Sequence, residues 1–247
     1  MTAPLFLVEP DALEGIRPGG SVLLDGPEGR HAATVRRITV GELVDVADGS
    51  GVLARCTVLA VGRDEVTLRV DARDEVPEPA PRFVLVQALA KGERDDLAIE
   101  AATELGVDEV VPWQAERSVV VWRGERGVRS RRKWEQTVRA AAKQSRRARV
   151  PVVGELVDRT ALVRRVQVST LAVVLHEDAT APLASVDVPL AGEVLLVVGP
   201  EGGISPAEVD AMVLAGATTC RIGREVLRSS TAGPAALSVL SSVLRWR

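Results

Sequence analysis

The run Leu195-Leu196-Val197-Val198, followed by Gly199-Pro200-Glu201-Gly202-Gly203-Ile204-Ser205-Pro206-Ala207-Glu208, constrains this chain more than any other stretch. Consecutive apolar residues suit a strand buried on both faces. The glycines that follow permit a sharp turn and a close approach to the backbone. Ser205 then stands as an N-cap, Pro206 at the first helical position and Glu208 where a capping box needs its acid. Strand, glycine loop and helix start together make a ligand-binding edge. The loop lacks the Lys-Ser/Thr pair of a P-loop and the G-x-G-x-x-G spacing of a dinucleotide fold. The chain also contains no H-E-x-x-H, no paired cysteines and no G-x-S-x-G. Metalloprotease, zinc-site and hydrolase chemistries therefore lack support, and no metal is expected.

Two textures divide the 247 residues. Short alternating segments at Ser21–Leu24, 42–46, 51–61 and 65–70 are separated by polar turns, which reads as a small antiparallel barrel or sandwich. Three prolines between Pro77 and Pro81 then mark a linker, so residues 1–76 and 77–247 are expected to be separate domains. Beyond it, strands are expected at 83–89, 109–111, Leu171–Leu175, 194–198 and 218–222. Helices are expected at 94–105, 130–147, Pro206–Leu214 and 233–244. That alternation predicts an α/β domain with a largely parallel sheet. A second loop, Arg221 to Thr231, also leaves an apolar strand through glycine and enters an apolar helix.

Charge is unevenly distributed. Between Arg123 and Arg149 eleven Lys/Arg face only Glu125 and Glu135, a local +9 in a chain of net charge −3. Such an island suits a polyanion. In the helix at 130–147, helical spacing turns Trp134, Val138, Ala141 and Ala142 to the core. Arg131, Arg132, Arg139, Lys143 and Arg146 are left on the outer surface as phosphate-backbone contacts. Residues 1–76 carry net −5, with one basic cluster at Arg30, His31, Arg36 and Arg37. With no Tyr, two Phe and four Trp, extensive base stacking is not expected. No apolar run approaches the roughly 20 residues of a membrane helix, and no secretory leader pattern opens the chain. Cys56 and Cys220 are expected to be reduced thiols of a cytoplasmic protein.

Taken together, G-P-E-G-G-x-S-x-x-E at 199–208 and I-G-x-x-V-L-R-x-x-T-A at 222–232 resemble the SPOUT methyltransferases, specifically the ribosomal RNA small subunit methyltransferase E family. Arg30-His31 with Val35-Arg36, Glu104-Leu105-Gly106-Val107, Glu116-Arg117-Ser118 and Ala141-Ala142-Lys143-Gln144-Ser145 with Arg149-Val150-Pro151 match that family in order. The resemblance implies an N-terminal PUA-like β-barrel and a C-terminal α/β domain with a trefoil knot. It further implies S-adenosylmethionine as cofactor and methylation of N3 of a uridine in small-subunit ribosomal RNA, within the assembled subunit and by a homodimer. An apolar stripe at Leu237, Leu240, Val243 and Leu244 suits such a dimer. The alternatives are a non-catalytic ribosome-assembly factor on the same fold, or a SPOUT enzyme acting on another RNA or atom.

Under this resemblance Gly199, Gly202 and Gly203, with Pro200, close over the cofactor, and Glu201 lies near its sulfonium. Leu175, His176, Ile222, Gly223 and Leu227 line the adenine pocket through backbone groups, and Ser229 completes the cofactor set. Arg228 orients the substrate or stabilises charge on the uracil carbonyls. The chain departs from the family pattern L-R-x-E-T-A, because Ser230 stands where many members have Glu. No general base is assigned on that account.

Overall fold

The computed structural model describes residues 3–246 and divides into two compact units, 1–78 with 142–150, and 79–141 with 151–247. Among the described residues no helix is long and apolar enough to cross a membrane.

The first unit contains β1 (Leu5–Leu7), β2 (Ser21–Leu24), α1 (Gly26–Arg30), β3 (Leu43–Ala47), β4 (Val52–Val61) and β5 (Val66–Glu75), with a π-helical turn at His31–Val35 after α1. Its five strands are ordered β1-β3-β4-β5-β2. Register shifts at Arg55/Cys56 and Val58/Ala60 bend the long β4–β5 pair, as extra residues in a ladder do. β1 was not expected from the sequence, and it pairs parallel to β3, so the sheet is not wholly antiparallel. Alternation holds where one face meets the core: Val66, Leu68 and Val70 are all buried around Phe6 and Leu24. Residues 142–150 come back to this unit from the second one. Ala148 joins Leu5, Leu7 and Ala47, and the Arg149 guanidinium donates to the Val76 carbonyl at 2.8 Å.

The second unit contains β6 (Arg82–Ala88), α2 (Arg94–Glu104), β7 (Glu109–Trp113), most of α3 (Gly124–Gln144), β8 (Val152–Val153), α4 (Arg159–Val168), β9 (Leu171–Leu175), β10 (Glu193–Val198), α5 (Pro206–Leu214), β11 (Thr218–Cys220) and α6 (Ser229–Leu244). The six strands are all parallel in the order β11-β9-β10-β6-β7-β8. Helices cover both faces, which is why β6 and β10 are buried along nearly their whole length and mostly apolar, with Gln87 the polar exception inside β6. Val84, Val86 and Ala88 pack with Leu162 and Val166 of α4 and Met212 of α5. On the other face α6 lies so close that a Cβ on Gly233 would stand 2.9 Å from Leu85 Cδ1.

Four expectations are corrected here. α3 runs from Gly124 to Gln144, not 130–147, because Arg146 turns left-handed (φ 59°) and the Arg147 N–H closes back on the Ala142 carbonyl at 2.8 Å. α6 begins at Ser229, not Gly233, so Pro234 sits inside the helix rather than opening it. β11 stops at Cys220, which releases Arg221 and Ile222 into the following loop. Leu237 and Leu240 are fully buried within the chain, which leaves only Val243 and Leu244 of the expected dimer stripe partly exposed.

At the amino ends of the strands, Arg165 of α4 bridges β7 and β10. Its guanidinium holds both Glu109 oxygens at 2.7 Å and the Glu193 carboxylate at 2.9 and 3.0 Å. Burial alone would raise the Glu109 pKa, but Arg165 and Arg82 outweigh it and hold the carboxyl below its ordinary value.

Candidate active site

Three loops leave the carboxyl ends of the neighbouring strands β9, β10 and β11, and together they wall a cavity of about 900 Å³. In an open parallel sheet this edge, beside the point where chain order reverses, is where ligands bind. The cavity belongs entirely to the second unit. β9 contributes Leu175 and the loop after it His176, and the loop after β10 contributes Gly199 to Gly203. The loop after β11 contributes Ile222, Gly223, Leu227 and Arg228, and α6 adds Ser229. The expected cofactor residues and Arg228 thus share one wall system.

The glycine loop is held from two directions. At its end the capping box forms as the sequence predicts: the Glu208 N–H donates to Ser205 Oγ at 3.3 Å, and the Ser205 N–H donates to Glu208 Oε2 at 3.1 Å. A strut from the segment after β7 adds to it. Ser205 Oγ–H donates to Glu116 Oε2 at 2.7 Å, the Glu116 N–H donates to Glu208 Oε1 at 2.8 Å, and Arg117 donates to the Gly202 carbonyl at 3.1 Å. Glu208 is buried, yet both its oxygens are satisfied this way, which a buried carboxylate requires. The glycines have distinct reasons. A Cβ on Gly199 would lie 2.5 Å from Ile204 Cγ1, one on Gly202 would lie 3.3 Å from Arg117 Cβ, and Gly203 has φ +72°.

Charge on the cavity wall is partly committed. Glu201 accepts from the Lys91 N–H at 3.0 Å and from Arg94 at 2.8 Å. Burial pushes its carboxyl up, but backbone N–H groups, its own and that of Lys91, and then Arg94 outweigh this and keep it below the usual carboxylate range. His176 Nδ1 accepts from the Asp178 N–H at 3.2 Å, so the neutral ring carries its proton on Nε2. The Cys220 thiol is raised by burial. Ser229 is buried, and its hydroxyl has no partner among the described residues. Ser230 is not among the residues lining the cavity, whereas Ser229 and Ala232 are.

Arg94 and Arg117 line the site but were not singled out from the sequence. Glu116-Arg117-Ser118 did carry a signal, as a motif without a role. α4 was likewise missed, although Asp158 caps it through the Ala161 N–H at 2.8 Å and Leu162 and Val166 have helical spacing.

The expected RNA-binding residues fall on both units. In the first, Arg30, Arg36 and Arg37 are exposed, and His31 sets its edge on Phe6 at 6.2 Å between centroids. Burial, then Lys143, lowers the His31 pKa. Lys143 is not a freely presented surface charge: it pairs with Glu28 at 2.6 Å and lies 5.1 Å from the Phe6 ring centroid. Arg146 is exposed. In the second unit Arg131 is turned to structural use, donating to the Val153 carbonyl at 2.7 Å and the Gly154 carbonyl at 3.1 Å. Arg132 is exposed and Arg139 half-buried.

The cavity suits a group the size of S-adenosylmethionine, since about 900 Å³ is at the upper end for small-molecule sites. The unpartnered Ser229 hydroxyl and the side-chain-free surface of Gly199, Gly202 and Gly203 fit a polar ligand held against backbone.

A family model described as an RNA methyltransferase domain matches residues 77–241, and one described as an RNA methyltransferase PUA domain matches residues 24–71. The chain is 46% identical to a ribosomal RNA small subunit methyltransferase E of Mycobacterium bovis, over 100% of this chain and 94% of the relative. It is 30% identical to the protein of that name from Bacillus subtilis, over 88% of each. A Legionella pneumophila protein solved in complex with the bound cofactor SAM superposes with a TM-score of 0.83 at 27% identity over 98% of both chains.

Proposed function

The chain belongs to the ribosomal RNA small subunit methyltransferase E family, and from that premise we propose that it methylates N3 of a uridine in small-subunit ribosomal RNA with S-adenosylmethionine as cofactor. The observation that carries this reading is the cavity at the carboxyl ends of β9, β10 and β11, walled by a braced glycine loop. When bound, the cofactor supplies an electrophilic methyl group on a cationic sulfur.

The residues of the chain divide the remaining work. Gly199 to Gly203 give the ligand access to backbone and exclude water on one side. Glu201, kept ionised by its N–H donors and Arg94, sets a negative charge on the wall where a cation is to sit. Uridine N3 bears a proton and attacks poorly until it leaves, so the base has to be out of the stack and its proton accepted. Arg228, exposed at the N-cap of α6, orients the nucleotide or stabilises the charge left on the ring carbonyls. Ser230 stands where many members of the family have Glu, so position 230 supplies no carboxylate here. Glu177, Asp178, Asp210 and Glu225 are the wall carboxylates outside the Glu201 pair, and they or water take the proton.

This reading includes a homodimer in the cytoplasm acting on the assembled small subunit. Titration calorimetry should show binding of S-adenosylmethionine, and cells lacking the protein should lose one N3-methyluridine from small-subunit RNA. Unchanged RNA modification would count against the assignment, and a monomer by sedimentation would remove the dimer.

A further inference from the structure

Five arginines line the cavity, and they differ in what occupies them. Arg94 is paired with Glu201, and Arg117 is spent on the Gly202 carbonyl. Arg221, Arg224 and Arg228 are all exposed, and among the described residues none of their side chains makes a hydrogen bond or ion pair. All three lie on the one loop between β11 and α6.

The backbone at both ends of that loop is fixed. The Arg221 N–H donates to the Ala181 carbonyl at 3.0 Å, and the Arg221 carbonyl accepts from the Leu183 N–H at 2.8 Å. The Arg228 carbonyl accepts from the Thr231 and Ala232 N–H groups at 2.9 and 3.0 Å. Of the three, Arg221 and Arg228 sit on anchored backbone, and a guanidinium so carried loses less entropy on binding than one on a free loop. Val226, between Arg224 and Arg228, is also exposed. The loop therefore offers several unpaired cations beside an apolar contact, at the rim of the site where a nucleotide must enter.

We infer that the loop from Arg221 to Arg228 grips the phosphates flanking the target nucleotide, with Arg221 and Arg224 as phosphate ligands. This rests on the reading of the chain as an RNA methyltransferase. The alternative anion is the carboxylate of the cofactor's methionine part. One carboxylate occupies a single guanidinium fork, whereas a backbone with a charge at every nucleotide engages several.

The two sources separate experimentally. The full chain and its Arg221→Ala/Arg224→Ala variant are titrated with unmodified small ribosomal subunits across a range of KCl at fixed Mg²⁺, and separately with S-adenosylmethionine. Each phosphate contact on single-stranded RNA contributes about 0.7 to the slope of log K against log salt, so the double variant should flatten the slope by about 1.4. Its cofactor affinity should be unchanged, and Arg221→Lys/Arg224→Lys, which keeps the charge, should restore most of the slope. A slope unaltered in the alanine variant overturns the inference. So does a loss of cofactor affinity with RNA binding intact, which would give the guanidiniums to the cofactor. Failure of the wild-type chain to bind subunits at all would instead overturn the reading beneath it.

Discussion

The brace on the glycine loop leads to a quantitative expectation for Glu116→Ala. The substitution deletes the acceptor of the 2.7 Å bond from Ser205 Oγ–H, while the Glu116 N–H to Glu208 and the capping box are backbone-linked and persist. A hydrogen bond to a charged group is worth about 1.5–3 kcal/mol, and the exposure of Glu116 puts this one at about 1–2 kcal/mol. If that free energy biases the loop toward its binding-competent form, its loss weakens cofactor affinity about five- to thirtyfold. Titration calorimetry with S-adenosylmethionine measures this directly. Amide hydrogen exchange should rise at 199–204 while the exchange of β6 and β10 stays put. Glu116→Gln keeps an oxygen acceptor and should recover much of the affinity. An unchanged Kd in Glu116→Ala, or a glutamine variant no better than alanine, would refute the idea that this strut preorganises the loop.

Gly199→Ala should lower cofactor affinity more than Gly203→Ala in the same titration. The first drives a Cβ into Ile204, whereas the second meets only Arg117 Nη1 at an ordinary 3.9 Å and costs about 1 kcal/mol for its left-handed backbone. Arg165→Met leaves Glu109 and Glu193 without their shared partner and should destabilise the chain by about 3 kcal/mol in urea unfolding. Because the Glu109 pKa is depressed in the fold, its contribution is present above the ordinary carboxyl value of 4.5 and lost as pH falls through the folded value. The variant should lack that part of the acid sensitivity. Asp95 behaves oppositely. Burial, then Asp96, pushes its carboxyl up to about 6, so its contribution is fully present below about 3.8 and lost as pH rises through 6. Asp95→Asn should therefore stabilise the chain by roughly 2–3 kcal/mol at pH 7.5 and by much less at pH 4.5. Equal effects at both pH values would contradict this.

Local signals explain what the sequence discloses about the fold. Ser205, Pro206 and Glu208 specify the start of α5 by hydrogen bonds spanning three residues, and those bonds are all present. The apolar runs of β9 and β10 likewise announce strands covered on both faces. What stayed hidden depends on distant partners. Nothing local sets β10 between β9 and β6, and nothing local sends 142–150 back to the first unit. Arg146 carries no glycine-like mark that α3 ends there, yet it adopts the left-handed turn. Gly233-Pro234 imitates a helix start, but the helix begins a turn earlier on Ser229. In the site, Glu116 and Arg117 gain meaning only when the chain brings them against 202–208, nearly ninety residues on.

The most direct test of the central claim is methyl transfer itself. The purified chain is incubated with S-adenosylmethionine carrying a labelled methyl group and with small ribosomal subunits from cells lacking the protein. The RNA is then digested to nucleosides and the labelled product identified by mass spectrometry. The account predicts one labelled nucleoside, N3-methyluridine, at a single site. Label on a ribose or on another base atom, or no transfer by a chain that binds both cofactor and subunits, would contradict it.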